Sequence, residues 1–188
     1  VNSKLKSILT IFLLMTAGEG VFTLPFLLAR IFRPTFLEVF QLSNLQLGTL
    51  YSTSGVIALV SYLFGGTLAD KYEPRKLMGT ALCLTALGGF VLARFPGYNV
   101  LLWLYAYWGF STTYLFWSAM IKATRNWGGL SSQGKAFGFL EGGRGIVAAS
   151  IGVLGIFVFA FLIPEDVIST SFTQKREAFR TVILCASV

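Results

Sequence analysis

The sequence predicts an all-α membrane protein, a multi-pass bundle of transmembrane helices, and three observations carry that prediction. Of its 188 residues 55% are hydrophobic and only 12% are charged, too little polar surface to cover a soluble fold of this size. The apolar residues gather into runs long enough to cross a bilayer. The basic residues behind the net charge of +7 stand in short groups between those runs rather than along a continuous stripe, which fits orientation in a membrane better than a nucleic-acid surface.

A helix needs ~20 residues at ~1.5 Å rise to cover ~30 Å of hydrocarbon, and five runs meet that length. The first covers residues 8–29; its length, the acid Glu19 inside it and the further spans behind it separate it from a signal peptide. The second covers 45–69, the third 77–93, the fourth 100–121 and the fifth 136–163. A last apolar stretch, from 178, contains Arg180 and ends after 11 residues: the start of a sixth span, too short to cross.

The basic groups suggest an orientation. With the N-terminus in the cytoplasm, Lys4, Lys6, Lys71, Arg75, Lys76, Lys122, Arg125 and Lys135 lie inside, eight residues against Arg30, Arg33 and Arg94 outside. Lys175, Arg176 and Arg180 bring the outer count to six, but the first helices dominate orientation, so a cytoplasmic N-terminus is expected.

The turn between the second and third spans reads Gly66-Thr67-Leu68-Ala69-Asp70-Lys71-Tyr72-Glu73-Pro74-Arg75-Lys76. Its glycines let one helix end approach a neighbour, Asp70 sits where the helix leaves the apolar layer, and the bases hold a short turn at a charged membrane face. This resembles the signature loop between helices 2 and 3 of the major facilitator superfamily, Gly-x-Leu-Ala-Asp-Arg-x-Gly-Arg-Lys. Lys71 replaces the first Arg and Glu73-Pro74 stands where the family has Gly. The run Gln133-Gly134-Lys135-Ala136-Phe137-Gly138 also resembles the entry to helix 5 in bacterial members.

The resemblance implies the N-terminal six-helix half of a secondary transporter in a bacterial inner membrane, built as a 3+3 inverted repeat and completed by a second six-helix half. A trace of the repeat is visible: Gly48-x-Leu50-x4-Gly55 opens the second span and Gly138-x-Leu140-x4-Gly145 the fifth, the helices that should correspond. It also implies that the loop residues Gly66, Asp70, Lys71, Arg75 and Lys76 gate rather than bind. Where many members carry an Arg in helix 4, four residues before a glycine, Tyr105 stands here before Gly109, so antiport that depends on such an arginine is less supported. Some members place an acid at the end of helix 4 to pair with the loop; this chain has Lys122 and Arg125, and Glu73 is the local candidate to pair with Arg75.

Charges inside the spans are the candidates for solute or ion binding. Glu19, flanked by Gly18 and Gly20 and followed by Pro25, lies ~17 Å along a helix that starts near residue 8, close to the midplane. An ionised acid there costs on the order of 2.5–3.5 kcal/mol, so it needs a partner, a wet cavity or a proton. It either lines the central cavity, binding a cation, a proton or a polar substrate group, or is a protonated acid bonded to a neighbouring helix. Glu141 and Arg144, three apart, face one side of the fifth span and can pair, ~8 and ~12 Å from its start and therefore shallower than Glu19. Arg144 is either an anion-binding group released from Glu141 or half of a structural clasp, and the second reading is favoured because a carboxylate already neutralises the arginine. In the fourth span Tyr107, Ser111 and Tyr114 bring hydroxyls to one broad face, while aromatics such as Trp103 and Trp117 can stack on a ring or anchor the helix at an interface.

Cys83 and Cys185 lie in apolar stretches without ligand-like spacing and read as small buried hydrophobes. There is no histidine, which removes His-dependent catalysis and most transition-metal chemistry. No catalytic residue, metal or cofactor is expected, and the partners expected are a small-molecule solute, the bilayer and a second half. The competing class is a membrane sensor on a transporter scaffold.

Overall fold

The computed structural model describes residues 3–163 and 171–187, and among these the chain is helical with no strand. Four of its helices are long and apolar enough to cross a membrane: Lys4–Ile31, Asn44–Lys71, Pro74–Leu92 and Gln133–Leu162.

The first is a rod made of α1 (Ser3–Phe22), a π-helical segment (Thr23–Leu27) and α2 (Leu28–Ile31). The widened turn has a local cause: Pro25 has no N–H to give to the preceding turn and its ring crowds that carbonyl. A short helix, α3 (Arg33–Phe40), follows where only a connection was expected. It exists because Thr35, Phe36, Val39 and Phe40 form a stripe that is buried against the bundle.

The second span, α4 (Asn44–Lys71), opens with a capping box: Ser43 Oγ accepts from the Gln46 N–H at 3.1 Å and Gln46 Oε1 from the Ser43 N–H at 2.8 Å. Pro74 starts α5 (Pro74–Leu92) in the position where its missing N–H costs nothing. The fourth span is an unbroken helical run of α6 (Tyr98–Phe110), a second π-helical segment (Ser111–Trp117) and α7 (Ser118–Gly128). No proline widens it; Ser111 and Thr112 both turn their hydroxyls onto the Trp108 carbonyl, at 3.4 and 2.7 Å. The fifth is α8 (Gln133–Leu162), and α9 (Phe172–Ala186) begins earlier than the expected 178 because Ser171 and Gln174 cap it.

Buried apolar residues form two clusters, one toward each end of the bundle. Ile11, Leu14, Ala69, Leu77, Met120 and Leu140 belong to the cluster at the α4–α5 turn. Phe32, Phe36, Leu92, Leu101, Phe159 and Phe179 belong to the other. Along α1 and its π-helical continuation the boundary falls between Val21 and Leu24, just past Glu19. The outer surface is apolar, with Leu59, Leu63, Phe157 and Phe161 exposed, as a lipid-facing wall requires.

Close helix contacts are made by glycines outside the repeat trace. A Cβ on Gly109 would run into the Ser54 carbonyl oxygen, so α4 and α6 touch backbone to backbone there. Gly48, Gly55, Gly138 and Gly145 face open space, while Leu50 and Leu140 between them are fully buried. Cys83 and Cys185 are both free and exposed, which corrects their assignment as buried residues; Cys185 lines a cavity together with Leu24, Leu82 and Thr85.

Candidate functional site

The three ionisable groups singled out inside the spans meet at one point. Arg144 Nη1 donates to both oxygens of Glu141 at 3.0 Å, and its Nη2 donates to Glu19 Oε2 at 3.4 Å. Glu19 and Arg144 lie 125 residues apart in the chain, on α1 and α8, which pack side by side. Gly143 of α8 faces Met15 of α1, so Arg144 stands below Glu19 along the helix pair and its long side chain spans the difference.

Two glycines make the contact possible, each opposite a side chain of the other helix. A Cβ on Gly18 would lie 3.1 Å from Arg144 Cδ, and one on Gly143 would collide with the Met15 side chain. The guanidinium lies 5.6 Å from the ring centres of both Phe22 and Trp117, so its plane is held by aromatic groups as well as by carboxylates. Phe22 and Trp117 meet edge to face at 6.1 Å, and Trp117 Nε1 donates to the Tyr62 hydroxyl at 3.3 Å. Both π-helical segments border this point, one directly after Phe22 and one ending at Trp117. Such widened turns redirect side chains at functional positions.

The cluster opens onto a cavity of about 520 Å³. Glu19, Arg144, Glu141 and Arg30 give it charge, and Phe22, Phe26, Leu27 and Ala148 an apolar wall. Burial divides the three partners: the side chains of Glu19 and Arg144 are each 14% exposed, that of Glu141 57%. No group of three or more metal-ligating residues is found among the described residues.

The fourth span contributes differently from the expectation. Tyr107 donates its hydroxyl to the Leu84 carbonyl at 2.7 Å, and Ser111, fully buried, lies 3.2 Å from the Thr85 hydroxyl, so both face α5. Tyr114 stacks on Phe110 at 5.0 Å. The structure does not bring these three to the Glu19 cavity: Tyr107 and Ser111 keep one face, turned to α5, and the π-helical segment that starts at Ser111 separates Tyr114 from them. Trp117 is the aromatic of this span that reaches the cavity; Trp103 points outward and Tyr105, Trp108 and Phe116 are core. Arg30 was missed as a cavity residue, and regular helical spacing would not have placed it, since the π-helical segment Thr23–Leu27 lies between it and Glu19.

A second, smaller cavity of about 360 Å³ lies at the α4–α5 turn, lined by Gly66, Asp70, Tyr62, Trp117, Lys122 and Arg125 among others. Lys122 donates its Nζ to the Ala69 carbonyl at 2.6 Å and to the Asp70 carbonyl at 3.3 Å, placing a cation on the negative end of α4. Close approach in this region belongs to Gly65, whose Cβ would lie 2.8 Å from Ser118 Oγ, and not to Gly66, which faces open space. Lys71, Arg75 and Lys76 are exposed, and Glu73 pairs with Lys76 at 3.3 Å rather than with Arg75. The reason is helical spacing: Glu73 caps α5 and Lys76 lies one turn in, on the same side, whereas Arg75 points away.

The family model described as Major Facilitator Superfamily matches residues 8–172. The chain belongs to that superfamily. This major facilitator chain is 36% identical over 146 residues to the inner membrane protein YqcE of Escherichia coli (strain K12), covering 78% of this chain and 32% of YqcE. It is 32% identical over 149 residues to the inner membrane protein YihN of the same strain, covering 79% of this chain and 35% of YihN. The uncharacterized protein MG294 homolog of Mycoplasma pneumoniae is 27% identical over 186 residues, covering 92% of this chain and 37% of that protein. The chain thus spans about a third of the length of the curated relatives it matches. No solved structure matches it.

Proposed function

We propose that the protein is a secondary transporter that moves a small organic solute across a bacterial inner membrane by alternating access, and that the solute binds in the Glu19–Arg144–Glu141 cavity. The observation that carries this reading is a guanidinium held between two carboxylates inside a membrane-spanning bundle of a transporter family. Structural ion pairs are costly inside a membrane, and this one borders a cavity large enough for a small organic molecule.

In this reading residues 3–187 belong to an N-terminal half with its N-terminus in the cytoplasm, arranged as two inverted helix triplets. A second half of similar size completes the cavity, consistent with the length of the relatives. The α4–α5 turn, with Gly66, Asp70, Lys71, Arg75 and Lys76, opens and closes the cytoplasmic side, and Lys122 holds it to the fourth span. Glu19 couples solute movement to a proton or cation, because it is the buried carboxylate whose balance with Arg144, Glu141 and Arg30 changes when the cavity fills.

The full-length protein reconstituted in liposomes tests this by uptake against imposed pH and ion gradients. Glu19→Gln should leave exchange of solute but remove its dependence on the gradient. Gradient-driven accumulation that survives Glu19→Gln rejects the coupling role.

A further inference from the structure

We propose that the solute is a small organic anion and that its acid group binds Arg144 by taking the place of Glu141. The inference rests on the transport reading above and concerns the same cavity. It follows from which member of the ion cluster can leave. Glu141 is more than half exposed on the cavity side, so its carboxylate can swing into water with little desolvation to undo. Glu19 and Arg144 are each about six-sevenths buried, and neither can move without leaving an unpaired charge behind.

Arg144 is also held by groups other than Glu141. Phe22 and Trp117 lie over it, and its stem passes against Gly18, where a side chain would not fit. When Glu141 departs, the guanidinium therefore stays in place with Nη1 turned to the cavity. The exchangeable member is a carboxylate, so the ligand that replaces it is a carboxylate, a phosphate or a sulfonate, the groups that match the guanidinium fork.

Arg30 favours the same class. It lines the same cavity, and among the described residues it makes no ion pair. It enters the cavity from α2, whereas Arg144 enters it from α8. Its effect is to make the opposite part of the cavity positive and draw anions in. Phe26, Leu27 and Ala148 leave room for a short carbon body but offer it no hydrogen bonds through their side chains.

The test uses the full-length protein in lipid nanodiscs and liposomes, with lactate, methanesulfonate and glycerol 3-phosphate as probes and lactamide and glycerol as neutral counterparts. At least one anion should raise the unfolding midpoint where its neutral counterpart does not. Glu141→Gln, which removes the competitor, should tighten that anion's Kd roughly two- to fivefold. Arg144→Lys should weaken it by about tenfold or more. Tightening by Glu141→Gln is what a structural clasp does not produce, and it does not depend on whether Arg144→Lys folds. Binding by none of the three acids, or anion binding that Glu141→Gln leaves unchanged or weakens, overturns the inference. Uptake of a neutral solute by the same liposomes in that case leaves the transport reading standing. Anion binding with tightening but without uptake of any probe supports the anion site and counts against transport.

Discussion

Arg144 meets its carboxylates from two helices, one of them 125 residues away, in a setting that little water reaches. Glu73 and Lys76, at the α4–α5 turn, are three residues apart and 70% and 73% exposed. The turn carries the densest run of charge in the chain, yet most of that charge is solvated and its side-chain pairing is worth little. The cluster on α1 and α8 holds only three charges, and the two buried ones, Glu19 and Arg144, are expensive to leave alone. Density of charge along a sequence and energetic weight in the fold run in opposite directions here. What separates the two regions is desolvation, and each can be probed by removing a partner.

The largest effect should come from Arg144→Met. It leaves Glu19 and Glu141 facing one cavity without the cation between them, a loss of about 3–5 kcal/mol measured as unfolding in detergent. The triple change Glu19→Gln, Glu141→Gln and Arg144→Met removes all three charges and should recover most of that loss. If the triple variant is as unstable as the single one, the charges are not what the site depends on, and packing of the arginine stem against Gly18, Phe22 and Trp117 is.

An intermediate effect is expected at the one place where the turn region is partly buried. Lys122 places its ammonium on the last carbonyls of α4, at Ala69 and Asp70. Lys122→Met keeps the stem but removes the donor, and should cost about 1 kcal/mol, below the full value of a charged hydrogen bond because the second contact is exposed. Lys122→Arg should restore most of it. A loss as large as that of Arg144→Met would show that burial does not rank these sites.

How far the sequence could be read follows the same division. Four of the expected spans were legible because hydrocarbon demands runs of ~20 apolar residues, and among the described residues four helices are long and apolar enough to cross. The short α3 was not, since eight residues with a buried stripe carry no signal distinct from a loop. Glu19, Glu141 and Arg144 were legible one by one, as charges where charge is costly. That they form a single cluster was not, because pairing across α1 and α8 depends on the approach that Gly18 and Gly143 permit. Tyr107 and Ser111 do share a face, turned to α5, but Tyr114 does not follow them, because spacing arguments assume a regular helix and a π-helical segment begins at Ser111. Lys122 could have been read as the C-terminal partner of α4 only by knowing which helix end it would face.

The smallest effect is the one that distinguishes the two candidate partners of Glu73. Proximity along the chain allows Arg75, but Glu73 lies 3.3 Å from Lys76, one helical turn into α5. A double-mutant cycle of Glu73→Gln with Lys76→Gln should give a coupling of no more than about 0.5 kcal/mol, given that both side chains are largely in water. The same cycle with Arg75→Gln should give none. Raising the salt should abolish the first coupling, since exposed pairs are screened over ~8–10 Å at ordinary ionic strength, whereas the Arg144 cluster should keep its effect under the same conditions. A coupling between Glu73 and Arg75 that persists in salt would mean that the turn is shielded from water in the complete protein, and the contrast between the two regions would then belong to this segment alone.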